Sequence, residues 1–327
     1  MIIIICKTPP PIGGVTVYCA RLLDNLSNSN IEYSFLRLTF KNLVLSAYKL
    51  KNCLSVHLIA SHPFVRLYYS ILCNLLRKKI IITYTDNVDA FPNLFLNIAN
   101  KLSIRFASIP LVLNMGSLEI GQKINNNTKL ISSFIPPSND SDDLDILEKH
   151  LGEILSKHSF VFCTNAYNYR IDKFGKELYG ILDLISIFNK IPNSALIISD
   201  PSGAYNEYIL NNNILLKSNI KMLISSRFSF VDVIRLSHCC IRATTSDGDS
   251  LSIHEALYLN KDVICSDCVS RPPGCLLYPT NDNSALFNII LNYKSTSIVR
   301  KIPSGQNGLL QVLQIYQESH SYITNDL

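Results

Sequence analysis

Short apolar runs alternate along this chain with longer stretches whose apolar residues recur every three or four positions. Runs at 2–6, 33–38, 54–60, 79–84 and 109–115 read as strands, and 15–27, 42–51, 64–77 and 92–106 read as helices. The later part repeats the alternation, with strands at 159–164, 195–199, 213–217, 221–224, 238–243 and 262–265 and helices at 178–190, 203–211, 229–236, 250–259 and 282–292. The first run, Ile2 to Cys6, is apolar at every position rather than at every second one, which is the pattern of a strand buried on both faces. Strand and helix in this order predict an α/β chain of parallel sheets with helices on both sides.

The alternation breaks once. Ser133, Phe134, Ile135, Pro136 and Pro137 run into a polar segment, Ser138 to Asp143, and tandem prolines followed by polar residues end regular structure. Two domains are therefore expected, 1–137 and 138–327, with a closing helix over 307–319 that is expected to cross back onto the first. The 327 residues suffice for two cores. With 47% hydrophobic and 17% charged residues, the composition predicts globular domains rather than a long disordered tail. No apolar run has the length of a membrane span, and the opening lacks the basic start and cleavage site of a secretory signal, so the expected location is cytoplasmic. Ten cysteines, mostly in apolar runs, fit a reducing compartment. Cys265 and Cys268 have a metal-type spacing without a second pair, and His238 beside Cys239 and Cys240 does not restore one, so no metal is expected. His254 reads as a helix-surface or packing residue.

Charge is divided unevenly. Residues 1–136 hold fourteen Lys and Arg against five Asp and Glu, and the remainder sixteen against twenty. In the first part, Arg77, Lys78 and Lys79 together with Lys41, Lys49, Lys51, Lys101 and Arg105 form a basic set punctuated by Tyr68, Tyr69 and Phe91. Solvated helix faces account for part of such a set; its other reading is contact with an anionic membrane or a lipid diphosphate. Without a recognisable module and with a net charge of +5, no nucleic acid is expected.

The chemistry concentrates at 242–274. A polar turn carrying Asp247, Gly248 and Asp249 leads through Ser250 and Leu251 into a helix carrying Glu255, followed by an apolar strand and the turn Arg271 to Gly274. A loop entering a helix aims unpaired N–H groups and the positive end of the helix dipole at whatever lies in front of it. Asp247 and Glu255 are placed to accept hydrogen bonds from a small polyhydroxylated ligand. Ser252 with Glu255 also fits a capping box, and Asp249 or Ser250 are alternative caps. A second such edge lies at the start, where the run 2–6 ends at Gly13 and Gly14 before a helix, which a plain tight turn also explains.

These motifs resemble glycosyltransferase family 4, retaining enzymes of the GT-B architecture. The resemblance rests on two acidic residues, Asp247 and Glu255, with seven others between them and Ala256 after the second, on the strand Val263 to Ser266 and the turn Arg271 to Gly274, and on Gly13 and Gly14. It implies two Rossmann-like domains facing across a cleft, a nucleotide-sugar donor, no metal and no further cofactor. Glu255 then holds the ribose hydroxyls and Asp247 those of the transferred sugar. Gly13, Gly14, Gly248, Asp249, Ser250 and Leu251 face the donor, while Asp86 and His62, at strand ends, lie beside the acceptor. His62 equally fits a plain strand-end cap. Two departures stand out: the family's Arg after the first strand of the second domain is replaced by Thr164, Asn165 and Ala166, and the Lys of its Lys-Gly pair by Tyr179 before Gly180. Arg170, ranked first, Lys173 and Lys176 are the candidate substitutes. The activity implied is transfer of a hexose-type sugar to a growing, lipid-linked surface glycan at the inner face of the cytoplasmic membrane. A catalytically silent glycan- or partner-binding scaffold and a nucleotide-sugar epimerase are the alternatives.

Overall fold

A computed structural model of the chain describes residues 1–10, 13–89, 91, 93–137, 143–172, 174–224, 228–293 and 307–324, with side chains through 318. The chain divides into two compact units: Met1–Ile135 with Ser304–Leu327, and Pro136–Pro303. The division falls immediately before the tandem prolines, two residues ahead of the expected boundary after Pro137, and the closing helix belongs to the first unit. Residues 138–142 of the expected linker lie outside the described residues.

In the first unit, β1 (Ile2–Cys6), β2 (Tyr33–Arg37), β3 (Ser55–Ile59), β4 (Lys79–Tyr84), β5 (Ile109–Val112) and β6 (Lys129–Leu130) form a parallel sheet in the order β2-β1-β3-β4-β5-β6. Between them run α1 (Gly14–Ser27), α2 (Phe40–Val44), α3 (Ser46–Lys49), α4 (Pro63–Leu75), α5 (Leu94–Phe106) and α6 (Met115–Ile124). Local chemistry sets the helix starts. Pro63 opens α4 at a position where its missing N–H costs nothing, and the Asn93 side chain accepts from Phe95 N at 2.8 Å to cap α5. The apolar strand residues point alternately to two cores. Ile3, Ile5, Val56 and Ile82 meet side chains of α2, α4, α5 and α6, whereas Ile2, Ile4, Ile59 and Ile81 meet α1 and the closing helix.

In the second unit, β7 (Phe160–Asn165), β8 (Ser194–Ser199), β9 (Ile220–Leu223), β10 (Cys239–Arg242), β11 (Asp262–Ser266) and β12 (Leu276–Tyr278) form a second parallel sheet, ordered β12-β11-β10-β7-β8-β9. Its helices are α7 (Leu144–Lys157), α8 (Ile181–Phe188), α9 (Ala204–Asn211), α10 (Phe230–Leu236), α11 (Leu251–Tyr258) and α12 (Asn283–Leu291).

The last helix, α13 (Gly308–Thr324), returns to the first sheet. A Cβ at Gly308 would lie 2.1 Å from Ser132 O, so only glycine permits this approach, and Gly308 N donates to Phe134 O at 2.7 Å. Val312, Ile315 and Tyr316 are buried against Ile2 and Ile4, and Tyr316 Oη is 2.5 Å from Nδ1 of His57 on the central strand β3. Burial pulls the His57 imidazole down to about 3, so it stays neutral and serves as a pin between sheet and helix.

Some expected elements change. Residues 213–217 are not a strand: α9 ends at Asn211, Asn213 takes φ +50°, and Ile214 and Leu216 pack on the core from irregular backbone while Leu215 is exposed. The sheet position next to β8 goes to β9 instead. The stretch 42–51 splits into α2 and α3, whose caps meet at Leu45. The strands β6 and β12 are too short to mark themselves by pattern, and α6 and α7 were not anticipated. The amphipathic stripe of α7, Leu147, Leu151 and Ile154, packs under the second sheet directly after the polar linker.

Candidate functional site

Both sheets reverse their direction of winding once, and ligands of open α/β sheets bind outside the carboxyl ends of the strands flanking such a reversal. In the second sheet it lies between β7 and β10, which are neighbours although three strands apart in sequence. The segment following β10 carries Asp247, while β7 ends at Asn165 and is followed by Ala166.

Arg242, the last residue of β10, lies across this point. Its Nη1 donates to Asn165 O at 3.4 Å and its guanidinium stacks over the Tyr179 ring at 5.3 Å. Asp247 is held between two arginines. Arg242 Nε and Arg271 Nη1 donate to Oδ2 at 3.1 and 2.9 Å, with Thr244 Oγ1 at 3.3 Å, while Arg242 Nη2 and Gly248 N donate to Oδ1 at 3.3 and 3.1 Å. Burial opposes the Asp247 charge, but Arg242 and then Arg271 outweigh it and hold the carboxyl below its ordinary range. Burial likewise opposes the Arg242 charge, and Asp247 reverses the balance to raise it. Arg271 is tied further to Ser266 O at 3.0 Å and to Cys268 Sγ at 3.3 Å. The site is thus an ion triad at the carboxyl edge of β10 and β11. A ligand hydroxyl reaching Asp247 would have to share oxygens that already accept five hydrogen bonds.

Helix α11 begins at Leu251 with Ser250 at its cap position, so Ser252 lies inside the helix and the Ser252–Glu255 capping box does not form. Ser250 Oγ bonds Ser252 Oγ at 3.0 Å instead of closing the helix end. Glu255, on the second turn, is buried. Asp249 Oδ1 meets Nε2 of His254 at 2.5 Å; His254 is a buried partner of the loop rather than a surface residue.

Arg170 and Lys176 are exposed and stand on a hairpin whose turn is closed by Asp172, which accepts from Phe174 N at 2.8 Å and Lys176 N at 2.9 Å. Lys173 lies outside the described residues. Behind the hairpin, Glu177 accepts from Tyr179 N at 2.7 Å and from Tyr205 Oη, and burial raises its carboxyl despite these donors. Leu178 O accepts from Thr245 N at 2.9 Å, joining this segment to the Asp247 loop. Gly180 opens α8 at φ +69°, and a Cβ there would lie 2.3 Å from Ala243 O, so the helix start can press against the end of β10 only with glycine. The cations of this edge, Arg242 and Arg271, whose side chains are 13% and 2% exposed, were given no role by sequence reasoning. An arginine closing an otherwise apolar strand five residues before an aspartate was the available signal for the first of them.

In the first sheet the reversal lies between β1 and β3. Gly13 and Gly14 follow β1, His62 follows β3 and Asp86 follows β4, so all four sit at one carboxyl edge. Gly13 N donates to Thr16 Oγ1 at 3.0 Å at the start of α1, and a Cβ on Gly14 would meet no described atom within 4 Å. His62 occupies the cap position of α4, with its ring exposed beside Phe64 and no side-chain cap bond. Asp86 Oδ2 accepts from Arg66 Nη2 at 3.0 Å. Arg66 is fully buried, donates also to Ala60 O at 2.6 Å and Asn100 Oδ1 at 2.9 Å, and lies over the Tyr84 ring; burial lowers its guanidinium, with Asp86 as the counter-charge. The Asp86 side chain is 40% exposed.

Among the described residues no three His, Cys, Asp or Glu side chains gather as metal ligands, and no helix is long and apolar enough to cross a membrane. No protein-family model matches the chain, and no curated protein does. Solved structures do match. HepE of Anabaena in complex with UDP-glucose is similar at a TM-score of 0.71 and 14% identity, covering 99% of this chain and 100% of that one. The sucrose-phosphate synthase of Thermosynechococcus elongatus is similar at 0.69 and 15%, covering 98% and 100%. The UDP-GlcNAc 2-epimerase of Methanocaldococcus jannaschii is similar at 0.63 and 14%, covering 97% and 99%. Two parallel six-stranded sheets with interleaved helices, matched over nearly the whole length of these structures, give this chain the GT-B fold.

Proposed function

We propose that this protein is a retaining glycosyltransferase that carries a hexose-type sugar from a nucleotide-sugar donor to a growing, lipid-linked surface glycan, working without a metal in the cytoplasm at the inner face of the membrane. The observation that carries the reading is the Arg242–Asp247–Arg271 triad at the strand reversal of the second sheet, in a fold shared with a protein that holds UDP-glucose. Transfer leaves negative charge on the departing diphosphate, and a preorganised donor aimed at such charge is worth about 3 kcal/mol. In this reading Arg242 supplies the cation for which Arg170 and Lys176 were candidates, because it is buried and oriented whereas they stand on an exposed hairpin. Asp247 acts by positioning Arg242 and Arg271 and shares an oxygen with the sugar. Glu255 holds the ribose hydroxyls, and the amides of Asp249, Ser250 and Leu251 face the phosphates. In the first unit, Gly13 and Gly14 serve the donor, with open space beside Gly14, and Asp86 and His62 flank the acceptor hydroxyl.

The test is incubation with a panel of nucleotide sugars, with and without lipid-linked acceptors. Nucleotide release only when an acceptor is present supports transfer. Conversion of the donor without acceptor supports epimerisation, the second reading, which the match to the archaeal epimerase favours. Binding without turnover supports a silent scaffold. Glu255→Gln is expected to weaken nucleotide binding by about tenfold or more, the worth of a hydrogen bond to a charged group. Arg242→Gln is expected to slow transfer about a hundredfold, the effect of losing one such donor. Unchanged titration and turnover in both variants would remove the site.

A further inference from the structure

One side of the first unit carries more exposed apolar surface than folding explains. Helices α2 to α5 cover the same face of the sheet: their inner residues, among them Leu43, Leu50, Tyr69 and Ile104, share one core. Tyr68 Oη bonds Leu43 O at 3.0 Å, tying α2 to α4. On the outer side of α4, Phe64, Tyr68, Ile71 and Leu75 recur every three or four residues, and all are exposed. On α5, Phe95, Ile98, Leu102 and Phe106 repeat the spacing, again exposed. Such a stripe normally faces a core. Here each helix buries a stripe toward the sheet and keeps a second one outward. At α2 and α3, Phe40 is 81% and Tyr48 83% exposed, and at the end of α4 Leu75 is 77% exposed.

Charge selects the occupant. None of these four helices contains an acidic residue, and residues 40–106 as a whole hold nine Lys and Arg against Asp86 and Asp89. Lys41 and Lys49 stand beside Phe40 and Tyr48, Arg77 beside Leu75, and Lys101 and Arg105 beside Leu102 and Phe106; all five cations are exposed. A protein partner or second copy would have to pair or desolvate these cations across its interface. An anionic bilayer matches both components at once: acyl and interfacial regions take aromatic and aliphatic side chains, and lipid phosphates take lysine and arginine. The opposite face of the sheet, covered by α1 and α13, places Asp24 and Glu318 on its helices and, among the described residues, lacks this combination.

We infer that the outer face of α2, α3, α4 and α5 is a membrane seat, on which the first unit rests against a surface of anionic lipid through apolar stripes and their flanking lysines and arginines. It builds on the proposed function only in making the membrane the place where a lipid-linked acceptor is met; the seat itself needs no transferase chemistry.

The experiment is co-sedimentation of the full chain with vesicles of phosphatidylcholine alone or mixed with phosphatidylglycerol. Binding to the anionic vesicles is expected, falling with added salt. Lys41→Glu with Lys49→Glu and Arg77→Glu should weaken it about tenfold or more, and Phe40→Ser with Tyr48→Ser and Leu75→Ser should reduce it even at low salt. Thermal unfolding and nucleotide binding of both variants should match the parent, which separates loss of the seat from loss of the fold. Equal binding to neutral and anionic vesicles, no binding to either, or unchanged binding by the charge-reversed variant would overturn the inference. So would a concentration-dependent dimer that the apolar variant abolishes. Vesicle binding by a protein that fails every transfer assay would leave the seat standing and remove the proposed function instead.

Discussion

Two aspartates follow strands at the carboxyl edges of the two sheets, each beside arginine, and they are held in opposite ways. Asp247 in the second unit accepts five hydrogen bonds on two oxygens, from two arginines, a threonine and its own following amide. Asp86 in the first unit accepts one strong bond, from Arg66, on one oxygen, and keeps much of its side chain in solvent. At Asp247 the carboxylate organises the cations. At Asp86 a buried cation, fixed by Ala60 O and Asn100, anchors one oxygen of a carboxylate that stays 40% exposed. The same pair of residue types therefore builds a closed charge frame in one unit and an aimed acceptor in the other.

The largest effect is expected at Asp247. Asp247→Ala leaves two buried guanidiniums without their shared counter-charge, and a loss of about 3–5 kcal/mol is expected in a denaturant melt, the cost of removing one partner of a buried pair. A variant as stable as the parent would mean that the frame is solvated and the contrast empty. Asp86→Ala is expected to cost less, about 1–2 kcal/mol, because water reaches the space it vacates, while transfer falls at saturating donor. If its destabilisation equals that of Asp247→Ala, Asp86 belongs to a closed frame too. The smallest effect is expected at Gly14, where an added Cβ meets open space. Gly14→Ala should hold or raise stability by up to about 1 kcal/mol, since alanine favours a helix start over glycine, yet lower the affinity for donor. A loss of stability there would show that the fold, not a ligand, requires the glycine.

Much of this molecule was legible before its coordinates. The strand β1 is an unbroken apolar run, and β4, β8 and β11 have apolar centres with polar residues at their ends, as strands buried on both faces favour. Asp247, Glu255, Gly13 and Gly14 could be singled out because loop and helix start are adjacent in sequence. Residues 213–217 misled because an apolar loop covering a core looks like an apolar strand when only the chain is visible. Lys176 and Arg170 were chosen for their nearness in sequence to the missing cations, and the hairpin closed by Asp172 turns them outward.

Local order along the chain sufficed for the alternation of elements, since each depends on neighbours within a few residues. Folding in three dimensions alone set which arginines meet Asp247, which helix covers β1, and which apolar stripes stay outside. Arg271 reaches Asp247 across 24 residues, and Tyr316 reaches His57 across 259. Strand order in a parallel sheet is chosen by how layers pack, and no local pattern encodes it. A residue's partners therefore become known only when the strands are in place.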